Sequence, residues 1–243
     1  MKYQAAMLNQ QGGRHYNEDY CGSVELEDHL NCWVVADGLG GHGGGNVAAK
    51  LAVEAIVNTF AENPLLAVEA LKLQFTEAQA AVIEAQKRSL KLANMQTTAV
   101  VLITHNNLAL WGHIGDTRLY YFHEGHLPKQ TSDHSVPQML AKAGEIDAAE
   151  IRFHEDRNRL LRSIGSEETF KPHLEQSPIS LHSGDAFLLC TDGFWEYVFE
   201  AEMEEELKQA SSAAEWLKAM EQRLLARAPE GNDNYSAIAI KVL

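Results

Sequence analysis

The stretch Asn31-Cys-Trp-Val-Val-Ala-Asp37-Gly-Leu-Gly-Gly-His-Gly-Gly-Gly-Asn46 decides the fold of this chain. Its apolar part, residues 32–36, predicts a short buried strand. The strand ends at Asp37, and six of the eight residues from 38 to 45 are glycine. A carboxylate at a strand end, followed by backbone without side chains, suits a bound cation or phosphate group. The alternative is a glycine-rich turn that Asp37 caps.

Three further aspartates lie at the ends of predicted strands. Asp116 and Asp192 follow the strands predicted at 108–114 and 185–191, and Asp233 precedes the one at 235–242. Asp116 taken alone is also typical of a β-turn. A sheet can bring such ends together at one rim, where the carboxylates would repel one another unless cations neutralised them.

Oxygen ligands without clustered Cys or His favour Mg²⁺ or Mn²⁺ over Zn²⁺. Two such ions about 4 Å apart can lower the pKa of a shared water molecule and orient it for attack on phosphorus. The spacing of the aspartates therefore permits this chemistry.

A dense polar cluster, Arg14-His-Tyr-Asn-Glu18-Asp19, precedes the strand-like stretch 20–26. Such a run is usually a solvated loop. In the functional alternative, Arg14 is a bidentate clamp for phosphate, while Glu18 and Asp19 support cations. The residues alone leave both interpretations open.

The charge balance limits the classes of partner. Twenty Lys plus Arg against 34 Asp plus Glu give a net charge of −14, which argues against nucleic acid or an anionic membrane. No run of 18 apolar residues predicts a membrane span, and the N-terminus lacks the apolar stretch of a signal peptide. The three cysteines show no C-x-x-C spacing, which fits a reducing compartment. We therefore expect a cytoplasmic protein.

Helical patterns alternate with the strands. Apolar stripes predict helices at 47–60 and from Asn63-Pro64, an N-cap with a first-turn proline, to about 91. Ser135 and Ser212 resemble capping boxes that begin further helices. The charged stretch 145–162 is either a solvated surface or a flap beside an active site.

Two other patterns carry less weight. His123-x-x-His126 surrounds a turn and does not lie on a helix, so we do not interpret it as a zinc site. The glycines of 40–45 lack the following Lys-Ser/Thr of a nucleotide-binding P-loop.

Seven short motifs occur one after another along the chain. They are Arg14-x-x-Asn-Glu-Asp19, Asp37-Gly-Leu-Gly-Gly-His42, Thr97-Thr98, Gly115-Asp-Thr-Arg118, Asp133-His-Ser135, Asp192-Gly193 and Asp233-Asn234. The series resembles the metal-dependent serine/threonine protein phosphatases, the type 2C or PPM family, in their compact bacterial form. The resemblance covers about residues 3–242. Gln96, Thr117 and Leu39 depart from the usual family residues, and none of these changes removes an expected ligand.

The resemblance implies an α+β fold with one catalytic domain over residues 1–243. A central β-sandwich of two antiparallel sheets would carry helices on both faces, giving four layers in the order αββα. A small flap would span about 134–170, and the metals would sit at one end of the sandwich.

The same resemblance implies roles for the ligands. Asp37 would bridge two tightly bound Mn²⁺ or Mg²⁺ ions, with the carbonyl of Gly38 as a further ligand. Asp192 and Asp233 would bind the first ion. Asp116 would help to bind a third, weaker ion.

The remaining roles concern water and substrate. Glu18 and Asp19 would hold waters on the second ion, Arg14 would grip the substrate phosphate, and His42 would be a general acid for the leaving alkoxide. A hydroxide bridging the two metals would hydrolyse phosphoserine and phosphothreonine monoesters on proteins without a phosphoenzyme.

The implied partners are phosphorylated proteins, those of a cognate Ser/Thr kinase, and we expect a monomer. The alternative is a regulator with the same fold that binds phosphoproteins and turns them over negligibly.

Overall fold

The computed structural model describes residues 1–40 and 44–243, which contain twelve β-strands and six α-helices. The strands are β1 (Tyr3–Gln10), β2 (Asp19–Glu25), β3 (Leu30–Leu39), β4 (Gln96–Thr97), β5 (Ala99–His105), β6 (Leu108–Ile114), β7 (Arg118–His123), β8 (His126–Gln130), β9 (His173–Leu174), β10 (Ile179–Ser180), β11 (Ala186–Cys190) and β12 (Tyr235–Val242). The α-helices are α1 (Gly45–Glu62), α2 (Val68–Arg88), α3 (Val136–Ala143), α4 (Asp192–Trp195), α5 (Glu200–Gln209) and α6 (Ala213–Arg227).

The strands form two antiparallel sheets. The first has the order β1-β12-β11-β7-β8, and the second has the order β10-β6-β5-β3-β2, with β4 paired to β3 and β9 to β6. β12 pairs with β1 over its full length, from Tyr3 opposite Val242 to Gln10 opposite Tyr235. Each sheet therefore joins strands that are far apart in the sequence.

Strand β3, which lies between β2 and β5, is buried on both faces, and this burial explains its continuous apolar run. Cys32 and Val34 pack among residues of α1 and α2. Trp33 and Val35 face the other way and pack against residues of the opposite sheet, such as Phe187. The alternation of side chains along one strand thus connects an outer helical layer to the centre of the sandwich.

The first sheet is covered in the same way by α5 and α6, whose buried residues include Met203, Trp216 and Met220. With α1 and α2 on the second sheet, the layers run helix, sheet, sheet, helix. This confirms the four-layer α+β sandwich that the resemblance implied. No helix in the described ranges is both long enough and apolar enough to cross a bilayer.

The predicted helix starts are partly right. Ser135 and Ser212 cap α3 and α6, since their hydroxyls accept hydrogen bonds from backbone N–H groups three residues on. The predicted start of the second helix at Asn63-Pro64 is wrong. The N–H of Asn63 donates to the carbonyl of Thr59 and so ends α1, and α2 begins only at Val68.

Residues 134–170 form the region predicted to be a flap. It contains α3, which ends at Gly144 in the left-handed conformation with φ 76°, and a 3₁₀ turn at 148–153. The rest of the segment has little regular structure, and Ile164 pairs with Thr97 of β4. The segment is therefore tied to the end of the second sheet.

Candidate metal centre

Asp37 points into the gap between the two sheets. It lies on the same face of β3 as Trp33 and Val35, which contact the opposite sheet. Asp19, the first residue of β2, is directly opposite Asp37 in the strand register. Like charges in this position destabilise a sheet, so the pair calls for a neutralising cation or proton.

The other sheet supplies three carboxylates at the same rim. Asp116 and Asp233 each lie two residues before a strand, and Asp192 lies two residues after one. The register places these three strand ends side by side, since Cys190 at the end of β11 pairs with the first residue of β7 and with the third of β12. The aspartates predicted from strand ends therefore meet in space.

These side chains line one cleft of about 280 Å³. Seven of the nine predicted site residues lie in its wall: Arg14, Glu18, Asp37, Gly38, Asp116, Asp192 and Asp233. Leu39, Gly40, Asn158, Leu160 and Asn234 complete the lining.

The other two predicted residues have different outcomes. Asp19 is buried behind the cleft, where its Oδ2 accepts a hydrogen bond of 2.9 Å from the hydroxyl of Thr191. His42 belongs to residues 41–43, which lie outside the described residues, so its role stays a prediction.

Burial and mutual repulsion raise the pKa values of several carboxyl groups in and behind the cleft. Burial raises the pKa of Asp37 and of Asp116 well above the ordinary value, and the charge of Asp192 raises each further. Burial, assisted by the charge of Asp233, raises the pKa of Asp19 to about 8 and that of Asp192 to about 6. Without a cation, therefore, the cleft holds carboxyl groups that resist ionisation.

The donor set fits a hard divalent cation. Within the described part of the chain, Oδ1 of Asp192 is buried and has no hydrogen-bond partner, which is costly for a carboxylate oxygen. The surrounding side chains in the cleft offer carboxylate oxygens, and no described Cys or His lies in its wall. Such a site matches Mg²⁺ or Mn²⁺.

Two threonines hold the backbone of Asp37 in place. The N–H of Asp37 donates to the hydroxyl of Thr98 at 3.1 Å, and the hydroxyl of Thr97 donates to the carbonyl of Asp37 at 2.7 Å. The Thr98 hydroxyl also hydrogen-bonds the hydroxyl of Thr117, next to Asp116. These contacts join the two sheets at the rim and give the Thr97-Thr98 motif a structural purpose.

The glycines beside the aspartates permit close backbone approach. A Cβ on Gly38 would lie 2.1 Å from the carbonyl oxygen of Gly45, and a Cβ on Gly193 would lie 2.1 Å from that of Asn234. A side chain at either position would push apart the segments that carry the carboxylates. The glycine next to Asp37 and Asp192 is therefore required by packing.

Asn234 organises the loop that carries Arg14, a role that the sequence did not reveal. Its Oδ1 accepts from the N–H of Glu18 at 2.9 Å, and its Nδ2 donates to the carbonyls of Gln11 and Tyr16 at 2.6 and 2.9 Å. The side chain of Asn234 thus binds the backbone of residues 11–18 at three points and fixes this loop beside Asp233.

Arg14 lies at the mouth of the cleft. Its Nη2 is 2.7 Å from Oδ2 of Asp233, and the two side chains are 54% and 36% exposed. The guanidinium therefore remains accessible to a ligand while it contacts a carboxylate of the cleft.

A buried ion pair supports the loop behind Asp116. Nε and Nη2 of Arg118 donate to Oδ1 and Oδ2 of Asp133 at 2.9 and 2.7 Å. The guanidinium stacks 3.5 Å above the ring of Trp195, whose Nε1 donates to the carbonyl of Asp116 at 3.0 Å. Both charged residues occur in the sequence motifs, but only the fold shows that they pair.

An αββα sandwich with a carboxylate-lined cleft at one rim is the arrangement implied by the resemblance to metal-dependent phosphatases. The family model described as Protein phosphatase 2C matches residues 11–233. The chain therefore belongs to the protein phosphatase 2C family.

Named relatives agree with this assignment. The chain is 34% identical over 207 residues to the serine/threonine phosphatase Stp of Listeria monocytogenes serotype 4b, covering 83% of this chain and 81% of that protein. It is 30% identical over 195 residues to the protein phosphatase PhpP of Streptococcus pneumoniae, covering 78% of each.

A solved structure adds the metal. The catalytic domain of the serine/threonine protein phosphatase PstP in complex with two manganese ions superposes with a TM-score of 0.85 at 26% identity, covering 99% of this chain and 98% of that one. A structurally similar phosphatase domain therefore binds two manganese ions.

Proposed function

We propose that this protein is a divalent-metal-dependent phosphatase that hydrolyses phosphoserine and phosphothreonine monoesters on proteins. The observation that carries the proposal is the convergence of carboxylates from both sheets on one cleft, with a buried, unpartnered oxygen on Asp192 among the described residues. The Listeria and Streptococcus relatives bear the names of phosphatases, which supports the same activity here.

We propose two tight Mn²⁺ or Mg²⁺ sites in this cleft. Asp37 would contribute to both sites, the carbonyl of Gly38 would add one ligand, and Asp192 and Asp233 would complete the first site. When bound, such ions supply charge neutralisation of the phosphate and a water molecule of lowered pKa.

Three further acidic residues would have supporting roles. Glu18 is held near the site by a 3.2 Å hydrogen bond from the N–H of Gly45, and Asp19 lies opposite Asp37. Both would orient waters of the second ion. Asp116, buried at the rim beside Asp192, would contribute to a weaker third site.

Arg14 would bind the substrate phosphate. Its guanidinium is exposed at the cleft mouth and can donate two parallel hydrogen bonds to phosphate oxygens. Arg14 would then give up its contact with Asp233 and bind the substrate phosphate, and the Asp233 carboxylate would bind a metal cation instead. His42 would protonate the leaving alkoxide.

We also propose that residues 1–243 act as one catalytic domain, with the flap of 134–170 beside the cleft. Asn158 and Leu160 from this segment line the cleft and could contact a bound phosphoprotein. The substrates would be those of a cognate Ser/Thr kinase, and the protein would act as a cytoplasmic monomer.

The decisive experiment compares phosphoserine, phosphothreonine and phosphotyrosine peptides in one phosphate-release assay. We expect hydrolysis of the first two only when Mn²⁺ or Mg²⁺ is present, and its loss on adding a chelator. Folded protein with Mn²⁺ that binds phosphothreonine peptides without releasing phosphate would instead identify a phosphoprotein-binding regulator.

A metal titration of Asp116→Asn tests the third site. We expect the two tight sites to remain while turnover falls. The loss of a tight site would contradict the role assigned to Asp116.

A further inference from the structure

A second cluster of metal-binding side chains lies away from the acidic cleft. His123, the last residue of β7, meets His182 and Asp185 from the turn that leads into β11. One potential ligand atom from each of the three residues lies within 4.8 Å of the others. The sequence analysis did not interpret His123-x-x-His126 as a zinc site, and the fold places His123 beside metal-ligand types about 60 positions later.

The carboxylate at the centre of the cluster is fixed. Asp185 is 1% exposed, and its Oδ2 accepts hydrogen bonds of 2.9 Å from the hydroxyl of Tyr121 and from the N–H of His182. Its Oδ1 is 2.7 Å from Nδ1 of His123. The buried carboxylate is therefore held rigidly with one oxygen directed at an imidazole.

The two imidazoles face solvent. The side chains of His123 and His182 are 41% and 68% exposed, and their ring centroids are 5.4 Å apart. Nδ1 of His182 is 3.9 Å from Oδ2 of Asp185. In a tetrahedral zinc site with bonds of about 2.0 Å, neighbouring ligand atoms lie about 3.3 Å apart. The observed separations bracket this value, at 2.7 Å from Oδ1 of Asp185 to His123 and 3.9 Å from Oδ2 of Asp185 to His182. The two imidazoles must therefore rotate to share one ion with a single oxygen of Asp185.

We propose that His123, His182 and Asp185 form a surface site for a borderline transition-metal ion such as Zn²⁺, with the remaining coordination position open to solvent. Two imidazoles and one carboxylate prefer Zn²⁺, Co²⁺, Ni²⁺ or Cu²⁺ to Mg²⁺. The acidic cleft has the opposite preference because its described ligands are oxygens.

The site is independent of the acidic cleft. Asp185 precedes β11 and Asp192 follows it, so the two aspartates lie at opposite ends of one strand. Seven residues of extended chain span about 20 Å. A metal here would join the end of β7 to the turn before β11 and would stabilise the rim opposite the catalytic one.

Isothermal titration with Zn²⁺ tests the proposal. Untagged protein in excess Mg²⁺, which occupies the oxygen sites, should bind one Zn²⁺ per chain. His182→Ala and His123→Ala should each weaken this binding at least about tenfold, because each removes a direct ligand. His126→Ala removes an exposed histidine of the same hairpin and should leave Zn²⁺ binding unchanged.

Two further measurements keep the test falsifiable. Co²⁺ should give a visible absorption band typical of tetrahedral nitrogen and oxygen coordination, and His182→Ala should lose it while its Mn²⁺-dependent phosphatase activity stays at the wild-type level. Equal Zn²⁺ affinity of wild type and His182→Ala would overturn the proposal. Zn²⁺ binding that disappears in Asp192→Asn and persists in His182→Ala would also overturn it, since the ion would then occupy the acidic cleft.

Discussion

Two arginine–aspartate pairs of this protein have the same shortest distance and opposite surroundings. Arg118 and Asp133 are 2.7 Å apart with side chains 5% and 1% exposed, whereas Arg14 and Asp233 are 2.7 Å apart with side chains 54% and 36% exposed. The distance therefore says little about what a pair does. The two pairs differ in whether the arginine or the aspartate can give up the ion pair and bind another partner.

The buried pair is shielded from solvent ions, and the other contacts of Arg118 are the hydroxyl of Tyr120 at 3.0 Å and Glu200 at 3.8 Å. Arg118 is also stacked on Trp195, and burial makes separation of the charges costly. The exposed pair lies in the wall of the acidic cleft, where a cation can replace Arg14 on Asp233 and a phosphate can replace Asp233 on Arg14. The comparison separates an ion pair that holds the fold from one that is available for binding.

The largest expected effect follows from breaking the buried pair. Asp133→Asn leaves Arg118 charged and buried, and Glu200 at 3.8 Å can compensate only in part. We expect the free energy of unfolding, measured with urea, to fall by about 3–5 kcal/mol. Glu167→Gln, at an exposed position of the segment 134–170, should change the free energy of unfolding by less than about 0.5 kcal/mol. Equal stability of the two variants would refute the structural role of the pair.

Asp192→Asn extends the comparison to a buried carboxylate that forms no ion pair with an arginine among the described residues. We expect kcat/KM to fall at least about 100-fold, equivalent to about 3 kcal/mol, because a proposed metal ligand loses its charge. The metal-free protein should be no less stable than wild type, since the amide removes a charge that burial and Asp233 disfavour. A loss of stability comparable to that of Asp133→Asn would show that Asp192 is structural.

The pH dependence of the unfolding free energy of the metal-free protein distinguishes carboxyl groups that bind a metal from those that hold the fold. The pKa values of Asp19 and Asp192 are raised in the folded state, to about 8 and about 6, so the folded chain keeps protons that the unfolded chain has released. Stability in chelator should therefore decrease as pH rises from about 4 to about 8, by about 1.4 kcal/mol per pH unit for each retained proton.

Saturating Mn²⁺ should flatten this slope, because a bound cation favours the ionised carboxylates. Urea denaturation at several pH values with chelator and with Mn²⁺ measures both slopes. Identical slopes would mean that Mn²⁺ does not bind among these carboxylates. Asp19→Asn should reduce the slope in chelator without added metal.

The smallest energetic effect is expected for the exposed pair. Arg14→Ala should lower kcat/KM for a phosphopeptide about 10- to 30-fold, the value of a hydrogen bond to a charged group. The free energy of unfolding should change by no more than about 1 kcal/mol, as for other exposed ion pairs. Arg88→Ala, which breaks an exposed helical pair with Glu84, is the matched control and should leave kinetics unchanged. An unaltered kcat/KM for Arg14→Ala would remove this residue from substrate binding.

Much of the fold could be predicted because single strands carry strong local signals. Residues 108–114 and 235–242 were predicted as strands with the bounds that β6 and β12 have. The two-residue strands β9 and β10 could not be predicted, since they exist only through pairing with β6. The start of α2 was misplaced because Asn63 is equally suited to end one helix and to begin another.

In the candidate site, too, local sequence patterns predicted some features and only the fold shows the others. Asp37, Asp116 and Asp192 stood out because each follows a predicted strand and has glycine beside it. The predicted strand end at Asp37 is wrong, since β3 continues to Leu39. The hydrogen bonds of Asn234 join residues 216 to 223 positions apart, and no local pattern announces them. Sequence patterns therefore identified groups for chemistry, while the contacts that position those groups needed the fold.

The position of β12 has a consequence for synthesis. β12 lies between β1 and β11, so a nascent chain that has left the ribosome only as far as α6 already contains both neighbours of an absent strand. The edges of β1 and β11 then remain unpaired, and Asp233 has not yet reached the cleft. Such an incomplete chain is therefore exposed to wrong strand pairing and to chaperone capture, and Asp233 joins the other carboxylates only when β12 has emerged and paired.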